Sequence, residues 1–107
     1  MINLVNEYFS AFESKNLKKL EELFSDTIIL IDWDLHMIGK DQVLKANKNI
    51  FNSVTTIKIV IERLIKNQNT VAAEIKILID DSIWLNVLDI IDFNDQRKIE
   101  KITAFKR

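Results

Sequence analysis

Residues 27–36, Thr-Ile-Ile-Leu-Ile-Asp-Trp-Asp-Leu-His, change the rhythm of the chain. Before them, apolar residues recur at three- and four-residue spacing; from Thr27 they become contiguous and β-branched, as in a buried strand. Split by strand parity, Ile29, Ile31, Trp33 and Leu35 make one apolar face, while Ile28, Leu30, Asp32, Asp34 and His36 make the other. A strand predicted from Thr27 to about Trp33 therefore ends in polar groups on one side. If strand geometry holds as far as Asp32, its carboxylate follows Leu30 on the core-facing side, short of water and suited to proton transfer. If the strand reaches the surface there, Asp32 to His36 is a solvated turn.

Upstream, Leu4, Val5, Tyr8, Phe9 and Phe12 share one side of a helix predicted over Ile2 to Ser14, opposite Asn3, Asn6, Glu7, Ser10 and Glu13. Asn16 can cap a second helix carrying Leu17, Leu20, Leu23 and Phe24, which Ser25-Asp26 stops. Downstream, Gly39, the only glycine, marks a backbone position with positive φ or a tight approach. It precedes a third helix, Lys40 to Phe51, with Val43, Leu44, Ile50 and Phe51 on its apolar stripe. Four strands are predicted at 54–66, 70–80, 83–93 and 97–106, joined by short polar turns that imply an antiparallel meander. Ile57, Ile59, Ile61 and Ile65 share a face in the first; Val71, Ala73, Ile75, Ile77 and Ile79 share one in the second. Helices first and a meander afterwards read as α+β, with helices packed on one side of a curved sheet.

The chain has 107 residues, 48% hydrophobic and 29% charged, which fits one domain spanning residues 1–107 with a single core. There is no cysteine, so disulfides and thiolate metal sites are excluded, which suits a reducing cytoplasm. Neither a leader-like N-terminus nor a membrane-length apolar run is visible. A formal charge of −1 and no basic run argue against nucleic acid as a partner. With one histidine and no glycine-rich phosphate loop, no metal or nucleotide cofactor is expected.

Two further polar groups stand on apolar rows. Tyr8 lies on the buried stripe of the first helix, where its hydroxyl needs a partner; a core tyrosine bonded to a carbonyl would satisfy that too. Asp89 shares a strand face with Leu85, Val87, Ile91 and Phe93, where a charge would cost several kcal/mol (order of magnitude) unless paired or neutralised. A wet edge position is the other account of Asp89. General acid–base chemistry is the class these residues leave open.

The run from Tyr8 to Asp26, the strand ending in Asp32, Gly39 with its helix and the four long strands resemble the nuclear-transport-factor-2-like superfamily. The likeness within it is to ketosteroid isomerases and SnoaL-like polyketide cyclases. It covers nearly the whole chain and implies an α+β cone: N-terminal helices on a strongly curved, mainly antiparallel sheet that encloses a pocket. Tyr8 matches the isomerase tyrosine of the first helix, Asp32 the general base ending the first strand, and Asp89 the protonated aspartate of the penultimate strand, four residues before Phe93. The implied mechanism has Asp32 remove a proton α to a carbonyl while Tyr8 and protonated Asp89 donate to the enolate oxygen. This chain departs in its shorter loop from Asp32 to Gly39, which has no proline after the base. Lys106 stands near where the isomerases tend to have an aromatic residue, so a steroid is not implied.

The expected function is that of an isomerase or cyclase moving protons beside a carbonyl of a small apolar molecule. The alternative is a non-catalytic small-molecule-binding or dimerisation module of the same fold. Catalysis is assigned to Asp32, Tyr8 and Asp89, and substrate contact to Asp34, His36, Phe12, Phe51, Ile91 and Ile102. Water activation by Asp34 and His36, as in a hydrolase, is a minor alternative. Trp84, Leu88 and Ile90 on the outer sheet face predict a homodimer through the sheet.

Overall fold

The computed structural model describes residues 1–107 and contains three helices on one six-stranded sheet. Helix α1 (Ile2–Glu13) buries Val5, Tyr8 and Phe9 of its predicted face, with Ala11 beside them, while Leu4 and Phe12 are half-buried. It is followed by α2 (Leu17–Leu23), whose cap Asn16 accepts the Lys19 N–H at 3.1 Å. The helix stops at Leu23. Strand β1 (Phe24–Ile31) starts at once, so Ser25 and Asp26 belong to the strand instead of separating it from the helix.

β1 ends at Ile31, before Asp32, and the chain turns back through β2 (His36–Ile38), a short antiparallel partner that the strand reading of 27–36 did not foresee. Gly39 follows with φ 93° and ψ 150°, and its N–H donates to the Ile28 carbonyl at 2.7 Å. An added Cβ would meet nothing within 4 Å, so it is the backbone angle and not crowding that calls for glycine here. Helix α3 (Lys40–Ser53) leads into β3 (Ile57–Asn67), β4 (Thr70–Ile79), β5 (Ile83–Phe93) and β6 (Ile99–Lys106). The turn from β4 to β5 places Asp80 and Asp81 at positive φ, where short polar residues are tolerated.

The strand order is β2-β1-β6-β5-β4-β3. The meander from β3 to β6 is antiparallel, but β1 lies parallel to β6, so the sheet is mixed and unclosed. Register shifts interrupt β1·β6, β3·β4 and β5·β6, bending the sheet around the helices. One shift corrects the sequence reading. Between Ile61 and Arg63 the β3 ladder slips, so Leu64 pairs with buried Ala73 while Ile65 turns outward and is 52% exposed. Ile57, Ile59 and Ile61 remain opposite Ile79, Ile77 and Ile75 on the inner face.

Twenty buried apolar residues, from Val5 on α1 to Ile102 on β6, form a single core between the helices and the concave face. No helix is long and apolar enough to cross a membrane.

Candidate active site

The concave face and the helices leave a cavity of about 150 Å³, lined by 17 residues of which 14 are hydrophobic. That volume matches a cavity able to hold a molecule about the size of benzene. Phe12, Ile50, Ile77, Leu85 and Ile102 are among its apolar walls. Apart from the Trp33 indole, the polar side chains at the wall are Tyr8, Asp32, Asn47 and Asp89.

Tyr8 reaches the cavity from α1, its ring set among Phe9, Phe12 and Phe24 at centroid distances of 5.2, 6.2 and 6.2 Å. Burial pushes its hydroxyl pKa well above the usual value, and the nearby Asp89 charge adds to this. At neutral pH Tyr8 is therefore a hydrogen-bond donor. Asp89 comes from the middle of β5, between Ala73 and Ala104 on the flanking strands, and is 7% exposed. Two small neighbours leave room above a carboxyl that has little water. Burial, and then the negative charge of Asp32, raise its pKa to about 7. Near neutrality Asp89 carries a proton much of the time and can donate it in a hydrogen bond.

Asp32 sits one residue past β1. Its Oδ1 accepts the backbone N–H groups of Asp34 and Leu35 at 2.7 and 2.6 Å, and its own N–H donates to the Leu35 carbonyl at 2.9 Å. These bonds fold residues 32–35 into a tight turn, fix the carboxylate at the cavity wall and leave Oδ2 uncommitted. The turn also ends strand alternation: Trp33, assigned by parity to the opposite face, lines the same cavity as Asp32. Lys106 Nζ lies over the Trp33 ring, 5.2 Å from its centroid, so the position near which the isomerases tend to have an aromatic residue carries a cation on an aromatic ring.

The structure thus brings Tyr8, Asp32, Asp89, Phe12 and Ile102 to one cavity. It does not bring Asp34 or His36 there. Both are exposed, because the turn after Ile31 carries Asp34 away from the wall and His36 pairs with Ile31 on β2 at the sheet edge. Phe51 and Ile91 are buried in the core without reaching the cavity surface; Phe51 backs the wall through an edge-on contact with Phe12 at 4.9 Å. Trp33 and Asn47 were missed. The signal for Asn47 was present, since it stands four residues after Val43 and four before Phe51, on the apolar stripe of α3. No group of three or more His, Cys, Asp or Glu side chains comes together in a way that could hold a metal ion.

An unclosed α+β cone whose apolar cavity is lined by two aspartates and a tyrosine defines the class: an α+β cone of the nuclear-transport-factor-2-like type. Within it, the chain belongs to the SnoaL-like domain family, whose model matches residues 5–102. No curated protein matches the chain in sequence. Among solved structures it is similar to a Shewanella denitrificans protein assigned as a SnoaL-like polyketide cyclase (TM-score 0.88, 12% identity, covering 98% of this chain and 88% of that one). A Kribbella flavida protein assigned as a ketosteroid isomerase superposes with a TM-score of 0.85 at 13% identity, over 98% of this chain and 76% of the other. An epoxide hydrolase of M. tuberculosis, described as LEH-like, gives 0.85 at 13%, over 99% and 81%. Identities this low establish the fold alone; the neighbours span isomerase, cyclase and hydrolase chemistries.

Proposed function

We propose that the cavity catalyses proton transfer next to a carbonyl of a small, largely apolar molecule. The observation that carries this reading is the pairing, in one apolar cavity, of two carboxyls in unlike surroundings: Asp32 held in a partly open turn, and Asp89 buried with its pKa at about 7. Asp32 Oδ2 would take the proton from the carbon α to the carbonyl, leaving its electron pair to form the enolate. Tyr8 and protonated Asp89 would donate hydrogen bonds to the oxygen on which that charge collects. Return of the proton from Asp32 to another carbon of the same molecule gives isomerisation; in ring closure the enolate carbon instead attacks a second carbonyl carbon of that molecule and the proton goes to the resulting alkoxide oxygen, so neither course consumes acid. The cavity volume suits one six-membered ring and not a fused four-ring skeleton.

A second reading, a binding pocket without turnover, is favoured by the hydrogen bonds on Asp32, which would serve the turn even if no proton ever moved. Carboxyl-carbon NMR titration separates the two, with Asp32→Asn and Asp89→Asn for assignment. For a catalytic pocket, Asp89 titrates near 7 and wild-type protein exchanges the α-protons of cyclohex-2-enone for deuterium, with Asp32→Asn slower by about 10²–10⁴-fold. An ordinary Asp89 titration without exchange gives first place to the binding module. We also propose that the chain forms a homodimer through the outer sheet face, where Trp84, Leu88 and Phe105 are exposed.

A further inference from the structure

Asn47 has no part in the proton-transfer scheme, yet its placement is unusual. It is 3% exposed on the inner side of α3, between Val43 and Phe51, which are also buried. Its side chain lines the cavity, and its Nδ2 has no hydrogen-bond partner. A buried amide nitrogen left unpaired is destabilising, and an apolar side chain of similar size would fill the same place without that penalty. Every other residue that α3 directs into the core is apolar. The nitrogen itself is sealed from the cavity, so a bound molecule meets it only when the amide turns about its Cβ–Cγ bond toward the wall that Asn47 lines.

The layers set what it can reach. Asp89 enters from the sheet, whereas Asn47 enters from the helical layer above it. Tyr8 also belongs to the helical layer, on α1, so the cavity wall carries polar groups from α1, α3 and β5. An oxygen that accepts from both Tyr8 and Asp89 has its two lone pairs occupied, so Asn47 needs a second acceptor.

We propose that Asn47 is a ligand-recognition residue, whose amide donates a hydrogen bond to a second oxygen of the bound molecule. The ligand class is then a neutral, single-ring compound with two acceptor oxygens. This deepens the function proposed above and rests on its assignment of the cavity as a ligand site, but not on proton transfer.

The test compares cyclohexane-1,4-dione with cyclohexanone, two neutral rings differing by one acceptor, in NMR titrations of wild type and Asn47→Leu. The expected result is that Asn47→Leu weakens dione binding by about five- to tenfold and changes cyclohexanone binding by less than about twofold. In wild type the Asn47 side-chain amide resonance moves on adding dione and stays in place with cyclohexanone. This second readout does not depend on the variant folding. Asn47→Leu should melt no lower than wild type, because the unpaired nitrogen is gone. Equal losses for both probes, unchanged dione affinity, an unmoved amide resonance, a variant that melts several degrees lower, or no binding of either probe to wild type overturns the assignment. If the dione preference holds while Asp89 titrates as an ordinary aspartate, proton transfer fails and the recognition role of Asn47 stands.

Discussion

Strand β5 carries two rows of side chains that differ in composition and in company. The inner row, Leu85, Val87, Asp89, Ile91 and Phe93, is apolar except for one carboxyl. The outer row, Trp84, Asn86, Leu88, Ile90 and Asp92, mixes polar groups with large apolar ones, Trp84 being 54% exposed. Each row thus contains residues suited to the other. Neighbouring strands answer them differently. Opposite Asp89 stand only Ala73 and Ala104, which provide no charge and no hydrogen bond. Opposite Leu88 stand Glu74 and Phe105, and the outer face around them carries the exposed pairs Arg63–Glu74 and Lys76–Glu62. An isolated carboxyl on a dry face changes the chemistry available there. Apolar residues among exposed charges offer area to a partner and contribute little to the folded monomer.

This contrast is sharpest in its dependence on pH. The Asp89 carboxyl has its usual value of 3.8 in the unfolded chain and about 7 in the folded one. Below the first value both states hold the proton. Between the two the folded chain keeps a proton that the unfolded chain has released, so stability falls as pH rises; above about 7 the loss is complete. It amounts to something on the order of 4 kcal/mol. Urea denaturation of wild type and Asp89→Asn should therefore diverge from pH 4 to pH 8, with wild type losing ground to the variant. Parallel curves would mean that the inner row is wet at Asp89, and the contrast between the rows would collapse. A smaller effect is expected next to it: Val87→Ala removes buried methyl groups from the inner row and should cost about 2 kcal/mol in the same assay. The smallest belongs to the outer row. Trp84→Ser and Leu88→Ser should change monomer stability by no more than about 0.5 kcal/mol, yet convert a micromolar dimer to monomer in sedimentation equilibrium. A wild-type monomer at that concentration would remove the outer row's role as an interface.

Much of this was legible in the chain because the informative residues break local patterns. Tyr8 on a helical stripe and Asp89 on a strand row are polar where every neighbour at the same spacing is apolar, and the structure places both at the cavity. The helix order and the four-strand meander followed from apolar period and short polar turns. What escaped depends on contacts between distant segments or on departures from ideal period. The parallel pairing of β1 with β6 joins residues some 70 positions apart, with no local signature. The slip after Ile61 reverses the faces of β3, so period-two counting puts Ile65 inside when it is outside. The turn held by Asp32 cancels parity at Trp33, Asp34 and His36. Asn47 was hidden for another reason: reading a stripe from its apolar members passes over a polar one set among them.

The four groups at the cavity wall come from α1, the turn after β1, α3 and β5, so Tyr8 and Asp89 are 81 positions apart in the chain. No single element contains them all, and the cavity exists only once the sheet has assembled with α1 and α3. A molecule that binds there is consequently bound by the native state alone. By mass action its occupancy is a term in the folding equilibrium, adding about 2.7 kcal/mol at a hundred times its dissociation constant. Thermal shift on adding a compound thus reads ligand identity without any assay of turnover, and a correct ligand protects the whole chain, including the edge strand β3, against unfolding.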